Sequence, residues 1–421
     1  MTHETLKQGQ AFVWRLISPF LLTLLLCAPA LTAAAELWTP EPLLGALVYG
    51  VAIVSSAFML GWIGEAAELD LKGGLAIGLL AIVTVLPEYV VSVYFSFAAG
   101  SDPSMAQYAS ANLTGANRLL LGFGWPAVAV LGYLALRRKN NKETNNGGKF
   151  GVPIDSEARN DLGFLLYASL IALLIPLTGQ MHLLVGVALV VIFGAYLWRQ
   201  SHADREEPEL EGTPAYVGAL SKVARRFFIG SIFVLSATII LISAEPFAHD
   251  LIAAGGQLGL DQYVLVQWLA PLASEAPEFS LALLFAARGK PALGLAILVS
   301  SKVNQWTALT GSLPIAYVVG GGTGASLPMI IGGDMRQVDE FMLTIAQTVL
   351  GVALLMGLRL TAKSSILLFG LFAVGFFVTN PEFRFWLSIV YFAIAGVVIW
   401  YHRRHLGRIL KAPFQLPKKL V

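Results

Sequence analysis

The chain has 421 residues, of which 56% are hydrophobic and only 13% are charged, and its formal net charge is +2. A soluble domain carries roughly 25% charged residues, so this composition excludes a soluble globular protein and indicates a membrane protein. It also excludes a basic nucleic-acid-binding domain. The single Cys27 excludes an internal disulfide and a metal site built from several thiolates.

Apolar segments long enough to cross about 30 Å of hydrocarbon as helices follow one another along the chain. They lie at roughly 12–35, 41–66, 71–99, 105–136, 161–178, 180–199, 225–254, 261–287, 291–319, 339–358, 362–380 and 384–402. A membrane β-barrel would show short alternating segments instead. The sequence therefore predicts an all-α polytopic membrane protein with about 12 transmembrane helices.

The first segment has two interpretations. Arg15 is followed by an apolar stretch ending in "APALTAAAE", which is also the arrangement of a secretory signal. Residues 1–36 are therefore predicted to be either a retained N-terminal helix or a cleaved signal-like segment, and the orientation of the remaining helices is the same in both cases.

Basic residues in the polar connectors predict the orientation. They follow the fourth, sixth, eighth, tenth and last spans: Arg137, Arg138, Lys139, Lys142, Lys149, Lys222, Arg225, Arg226, Arg288, Lys290, Arg359, Lys363, Arg403, Arg404, Arg408, Lys411, Lys418 and Lys419. If every segment spans the membrane, all of them lie on one side, and the positive-inside rule makes both termini cytoplasmic. The predicted location is the cell (inner) membrane.

Two Pro-Glu pairs interrupt apolar runs, in "TVLPEYVVS" (84–92) and in "SEAPEFSLA" (274–282). The same order of elements precedes each pair. An apolar helix with an acidic residue near its end comes first, a Gly-containing turn follows, and a second apolar helix then leads to the Pro-Glu pair. Because five spans separate the two units, the second enters the membrane from the opposite side. Transporters built from such inverted repeats bind their substrate near the membrane midplane, on interrupted helices.

The motif "TVLPE" followed by "SANLTGANRLLLGFGW" resembles the first alpha repeat of the cation/calcium exchanger superfamily, G-T-S-L-P-E followed by G-N-x-x-G-S-N. "ASEAPE" followed by "VSSKVNQWTALTG" is similar to the second repeat, more loosely. The resemblance implies two inverted five-helix repeats with extra N- and C-terminal helices. It also implies a secondary antiporter that exchanges calcium or a monovalent cation for protons or sodium. The predicted boundaries are an N-terminal segment at 1–36, repeats at 41–199 and 225–380, a cytoplasmic linker at 200–224, and a C-terminal helix with a basic tail at 381–421.

The chain departs from the family pattern in both repeats. Val85 replaces a Ser in the first, and Glu275 introduces a carboxylate in the second. Counted forward from Pro277 without gaps, the family's Asn or Asp position falls on Lys302, whereas a shift of two residues places Asn304 there. The connection after the first Pro-Glu helix is also longer than usual.

The residue types around the two Pro-Glu pairs suit a cation. Proline lacks a backbone N–H, so it leaves the carbonyls of Val83 and Ala273 without their helical partners. Glu88 and Glu278 are the predicted principal ligands of the ion. Neutral oxygens are predicted from Thr84, Ser274, Asn112, Asn117, Ser300, Ser301 and, in the shifted register, Asn304. Calcium takes about 6–8 oxygens, sodium takes fewer, and protons need only the carboxylates; no cofactor is predicted besides the transported Ca²⁺ or Na⁺ and H⁺.

Five ionisable residues lie within apolar spans: Glu88, Arg118, Glu275, Glu278 and Lys302. Each costs about 2.5–3.5 kcal/mol at the membrane centre if it finds no partner. If all five shared one site, the fixed charge would be −1, which favours a monovalent ion or a proton, whereas the family resemblance favours calcium. Lys302 is hypothesised to be a tethered cation that a transported ion displaces.

One alternative belongs to a different functional class. A polytopic intramembrane enzyme could use Glu88 and Glu278 as an acid/base pair, although the chain carries no HExxH motif. The predicted partners are inorganic cations and the lipid bilayer, with no nucleic acid, and the sequence leaves the oligomeric state open.

Overall fold

The computed structural model describes residues 3–70, 86–139, 151–202, 210–322, 324, 326–330, 332–378 and 380–415. The helices of the first half are α1 (His3–Ala34), α2 (Pro42–Ala67), α3 (Leu86–Ala98), α4 (Ala106–Leu119), α5 (Trp125–Lys139), α6 (Ala158–Ala172), α7 (Leu174–Thr178) and α8 (Leu183–Gln200). Those of the second half are α9 (Thr213–Gly218), α10 (Lys222–Leu258), α11 (Gln262–Ser274), α12 (Ala276–Ala287), α13 (Pro291–Asn304), α14 (Thr310–Val319), α15 (Arg336–Leu355), α16 (Ala362–Phe377), α17 (Pro381–Tyr401) and α18 (Arg403–Lys411).

The predicted all-α membrane fold is confirmed. Every predicted apolar segment contains a helix, although the segment at 71–99 is described only from Leu86 onward. Within the described ranges, eight helices are long and apolar enough to cross a membrane, and a ninth span results if the bent pair α11 and α12 crosses as one. The short helices α9 and α18 lie in the predicted linker and tail.

Four strands of three residues each lie in the connectors between helices and form two antiparallel pairs. β1 (Gly151–Pro153) pairs with β4 (Arg359–Thr361), and β2 (Gln180–His182) pairs with β3 (Ser326–Pro328). The sequence does not predict them, because three residues are too few to show an alternating pattern.

The chain divides into two units, and each draws helices from both predicted repeats. Unit 1 comprises residues 1–91, 200–277 and 419–421, and unit 2 comprises residues 92–199 and 278–418. The chain therefore passes from unit 1 to unit 2 inside both Pro-Glu helices.

The main helix pair of unit 1 is α2 and α10, which pack closely against each other. Gly45 lies directly against Asp250, and a Cβ at Gly50 would be 3.1 Å from the ring of Phe247, so small residues allow this close approach. Beyond the end of α2, Asp70 accepts a hydrogen bond of 2.6 Å from Arg225 Nε at the start of α10. This ion pair fastens one end of the helix pair.

Unit 2 repeats one arrangement at a fixed spacing. α4 runs into a π-helical turn at Leu120–Gly124, and α13 runs into another at Gln305–Leu309. Both helices have 14 residues, and Ala106 and Pro291 at their starts are 185 residues apart, as are Leu120 and Gln305 at the two turns. The matching lengths and turns indicate that the two segments are copies of one repeat.

Candidate functional site

Glu278 lies in the first turn of α12, in unit 2. Pro277 is tolerated in this turn because the N–H that it lacks has no helical partner there. The start of a helix also favours a negative charge. Ser301 of α13 donates a hydrogen bond from Oγ to Glu278 Oε2. The structure thus joins two of the predicted site residues directly.

The second Pro-Glu helix is interrupted, as predicted. α11 ends at Ser274, Glu275 lies between the helices, and α12 begins at Ala276. Ala273 belongs to the last turn of α11, where carbonyls have no partner within their helix. Ser274 Oγ donates to the carbonyls of Ala270 at 3.2 Å and Pro271 at 3.3 Å, and Glu275 is buried.

In the first repeat, Glu88 is only 1% exposed and lies in the first turn of α3 as described. The predicted ligands Thr84 and Val83 lie outside the described residues. Burial of Glu88 suits a carboxylate that binds an ion inside the membrane, and the ligand roles of Glu88, Thr84 and Val83 stay predictions.

Asn112 on α4 holds its amide oxygen in a fixed orientation. Its side chain is fully buried, and Nδ2 donates a hydrogen bond of 2.6 Å to Ser92 Oγ on α3. No described residue donates a hydrogen bond to its Oδ1. A buried acceptor left unsatisfied costs about 1–3 kcal/mol, so this oxygen suits a cation that arrives during transport.

Asn117 and Lys302 contact each other across the repeat. Lys302 Nζ donates to both the carbonyl and the Oδ1 of Asn117, at 3.1 Å each, and lies 5.5 Å from the centre of the Trp306 ring. Because the two copies are 185 residues apart, Asn117 of α4 and Lys302 of α13 occupy equivalent positions. Equivalent residues contact each other when they lie close to the axis that relates the two copies. Asn304 is buried two residues later, at the end of α13.

Ser300 has a different partner from Ser301. Its Oγ lies 2.9 Å from the hydroxyl of Tyr196 on α8. Consecutive residues of a helix point about 100° apart, so α13 presents one hydroxyl to Glu278 and the other to Tyr196.

Arg118 belongs to a cluster that the sequence did not predict. Its guanidinium pairs with Glu340 Oε2 on α15, and Arg384 on α17 pairs with Glu340 Oε1. All three side chains are buried. The available signal was weak, because Glu340 and Arg384 are single charges near the starts of apolar segments and no motif connects them.

The described residues contain no group of three or more His, Cys, Asp or Glu side chains that could hold a resident metal ion. The candidate oxygen ligands described in unit 2 lie on Glu278, Ser301, Asn112 and Asn117, and the described contacts join Ser301 to Glu278, Asn112 to Ser92 and Asn117 to Lys302. Carboxylate, amide and hydroxyl oxygens are the ligands of hard cations such as calcium.

Comparisons with known proteins agree with this chemistry. The family model described as sodium/calcium exchanger protein matches residues 41–201 and 229–402. The crystal structure of the H⁺/Ca²⁺ exchanger CAX is 33% identical, with a TM-score of 0.88, and the alignment covers 96% of this chain and 99% of that one.

Two further structures share the fold at lower identity. The Ca²⁺/H⁺ antiporter protein YfkE is 18% identical with a TM-score of 0.59, covering 85% of this chain and 98% of that one. The sodium-calcium exchanger NCX_Mj is 18% identical with a TM-score of 0.50, covering 80% and 98%. No curated protein sequence matched the chain.

Proposed function

The chain belongs to the sodium/calcium exchanger protein family, and from that premise we propose that it is a secondary active antiporter that exchanges calcium for protons across the membrane. The observation that carries this proposal is the buried Oδ1 of Asn112, which Ser92 holds in place and to which no described residue donates. The similarity to a structure named as an H⁺/Ca²⁺ exchanger supports the choice of ions.

Glu88 and Glu278 are proposed as the principal cation ligands, each supplied by one Pro-Glu helix. The neutral oxygens proposed to join them are those of Asn112, Asn117, Ser274, Ser300, Ser301 and Thr84, with the carbonyls of Val83 and Ala273. Ser301 supports this role for Glu278, because its hydrogen bond orients the carboxylate.

Exchange follows from competition for the same carboxylates. When calcium is bound, its charge neutralises them, and when calcium leaves, protons do so. An empty site with ionised carboxylates inside a closed membrane costs several kcal/mol. The conformational change is therefore favourable only when one of the two cargoes is bound, which makes the exchange obligatory.

The charge balance also favours calcium once Arg118 is assigned to Glu340. Glu88, Glu275 and Glu278 with Lys302 then carry a net −2, which one calcium ion or two protons neutralise. The charged ammonium group of Lys302 donates a hydrogen bond to Asn117, which is itself a candidate ligand. Exchange of a monovalent cation is the second candidate, because this tethered charge competes with a divalent ion.

The intramembrane enzyme gains no support from the family or from the similar structures, which are exchangers. Glu88 and Glu278 therefore take no catalytic role in the proposal.

Cation flux into proteoliposomes that hold a pH gradient or a sodium gradient tests the proposal. Calcium, sodium and potassium are offered in turn, and liposomes without protein are the control. We expect a pH gradient to drive calcium against its own gradient. If sodium or potassium moves instead, the monovalent candidate replaces calcium, and if no gradient drives any cation the proposed function is wrong.

A further inference from the structure

An apolar groove lies between α5 and α16, on the surface of unit 2. At one end of the groove the two helices are in contact, because Phe372 of α16 lies directly against Gly122 in the π-helical turn before α5. At the other end, β1 contacts α5, β4 contacts α16, and the two strands pair with each other. The groove between these two ends has a volume of about 520 Å³.

The walls of the groove are almost entirely apolar. Small side chains at Ala127 on α5 and Ala362 on α16 leave the space open. The hydroxyl of Ser365 is used within its own helix, since Oγ donates to the carbonyl of Thr361 at 3.1 Å. Val130 is 50% exposed, so among the described residues no other segment packs over this part of the groove. An acyl chain has the chemistry that these walls favour.

The length of the groove matches one leaflet of a bilayer. Its lining on α5 extends from Phe123 to Tyr133, ten residues apart, which is about 15 Å along a helix. The hydrocarbon core is about 30 Å thick, so one leaflet contributes about 15 Å. A transmembrane helix from a second copy would need a contact face about twice as long. The dimensions therefore favour the acyl chain of a lipid.

Basic side chains lie at the end of the groove next to the strands. Arg137, four residues after Tyr133, is one turn further along α5 on the same face. Lys363 is in the first turn of α16, three residues before the lining residue Ile366 and on the same face. Both basic side chains are exposed. Each wall of the groove thus carries a positive charge where the helices reach the membrane surface.

The neighbouring connectors add further positive charge. The connector with Arg288 and Lys290 contacts α5 one turn before the end of that helix. Asp155 and Glu157 are the acidic residues that follow β1, and Glu157 interacts with Arg199 on α8. Basic residues therefore predominate around this end of the groove. The predicted orientation places it in the cytoplasmic leaflet, whose anionic lipids attract such residues.

We propose that the groove is a binding site for one anionic phospholipid. One acyl chain lies along α5 and α16, and Arg137 and Lys363 bind the phosphate of the headgroup. The site lies outside the proposed cation ligands and does not depend on which ions the chain exchanges.

Photo-crosslinking of the full-length chain in vesicles tests the groove. The vesicles consist of phosphatidylcholine with a small fraction of a lipid that carries a diazirine on one acyl chain. This probe is either phosphatidylglycerol or phosphatidylcholine, and mass spectrometry identifies the labelled peptides. Val130→Trp fills the groove, and Val191→Trp on α8 is its matched control, because Val191 is also exposed and lies outside the groove.

A second pair of variants tests the headgroup contacts. Arg137→Gln combined with Lys363→Gln removes the two charges, and Arg404→Gln combined with Arg408→Gln removes two exposed charges of α18 as the control. Labelling of α8 measures contact with bulk lipid in every variant, so an unchanged value there shows that the variant retains its fold.

We expect the phosphatidylglycerol probe to label residues 123–139 and 362–377 at least about fivefold more than the phosphatidylcholine probe. Val130→Trp should lower this labelling at least about fivefold, and the double variant Arg137→Gln, Lys363→Gln should reduce it to the phosphatidylcholine level. The two control variants should leave it unchanged. Equal labelling by both probes, or labelling that Val130→Trp does not change, would overturn the proposal. Cross-links between two copies of the chain at α5, in place of lipid labelling, would also overturn it and would show that a second copy fills the groove.

Discussion

The amide of Asn112 is a proposed cation ligand at a motif position. Its spacing from Gly115 and Asn117 predicts that it belongs to the cation site, but only the structure gives its orientation. Ser92 accepts from Nδ2, and this contact turns Oδ1 into a buried acceptor with no described donor. The hydrogen bond depends on how α3 packs against α4, which no pattern in the sequence specifies.

Substitution of Asn112 by Ala should weaken the apparent affinity for calcium by about tenfold or more, because one of the oxygens proposed to bind the calcium ion is lost. Thr114→Val is the matched control, since its hydroxyl donates to the carbonyls of Ser110 and Ala111 within its own helix. The measurement is the calcium concentration that gives half-maximal flux. An Asn112→Ala variant with native affinity would remove Asn112 from the ligands.

Lys302 provides a second prediction at the scale of single residues. Its ammonium group occupies both oxygens of Asn117, so Lys302→Met removes a positive charge from a candidate ligand. We expect the apparent calcium affinity to rise by at least about tenfold, and net exchange to slow because calcium then leaves less readily. Lys302→Arg keeps the charge and is the control. Native transport by Lys302→Met would refute the tethered-cation hypothesis.

At the scale of elements, Arg118, Glu340 and Arg384 connect α4, α15 and α17 within unit 2. Removing Glu340 leaves two buried guanidinium groups facing each other, which costs about 3–5 kcal/mol. We therefore expect Glu340→Ala to lower the unfolding temperature in detergent far more than the triple variant Arg118→Met, Glu340→Leu, Arg384→Met, which removes the charges together. Equal destabilisation by both would show that the charges do not govern this packing.

The ion pair of Asp70 gives a prediction for the pairing of α2 with α10. The hydrogen bond and charge of Arg225 lower the pKa of Asp70 below its ordinary value. A lowered pKa means that the ionised form stabilises the folded state. This contribution, about 1 kcal/mol for such a pair, is complete above the ordinary aspartate pKa of about 4 and disappears as the pH falls through the lowered value.

The unfolding temperatures of the native chain and of Asp70→Asn, measured from pH 7 down to pH 3, test this linkage. The native chain should be more stable at pH 7, and the difference should shrink below about pH 4. Asp102→Asn is a suitable control, because Asp102 bonds only locally to Ser104 among the contacts described for it. A difference that grows as the pH falls would contradict the direction of the pKa change.

The repeat register illustrates what the sequence determines at the scale of elements. The Pro-Glu pairs are 190 residues apart, whereas α4 and α13 begin 185 residues apart. Of the five extra residues, one lies in α3, which is a residue longer than α12, and four lie in the connection after it, which the sequence already shows to be long. Their number becomes clear only when both π-helical turns are located, and it then places Lys302 opposite Asn117 rather than Asn112.

For the molecule as a whole, the apolar segments and the two Pro-Glu motifs were sufficient to predict the fold and the family. Both predictions are confirmed. Contacts between residues far apart in the chain were not predictable. Glu340 and Arg384 are isolated charges in apolar helices, and Tyr196 and Ser300, whose hydroxyls lie 2.9 Å apart, come from different segments with no motif between them.

The central claim is that one cation site uses both Pro-Glu carboxylates, one from each repeat. Calcium flux driven by a pH gradient tests it directly, in the native chain, in Glu88→Gln and in Glu278→Gln, with the exposed Glu382→Gln as the control. The account predicts that each of the first two substitutions abolishes the flux while Glu382→Gln transports at the native rate. Native flux in either Pro-Glu variant would contradict it and would show that the repeat supports the membrane fold without binding the transported ion.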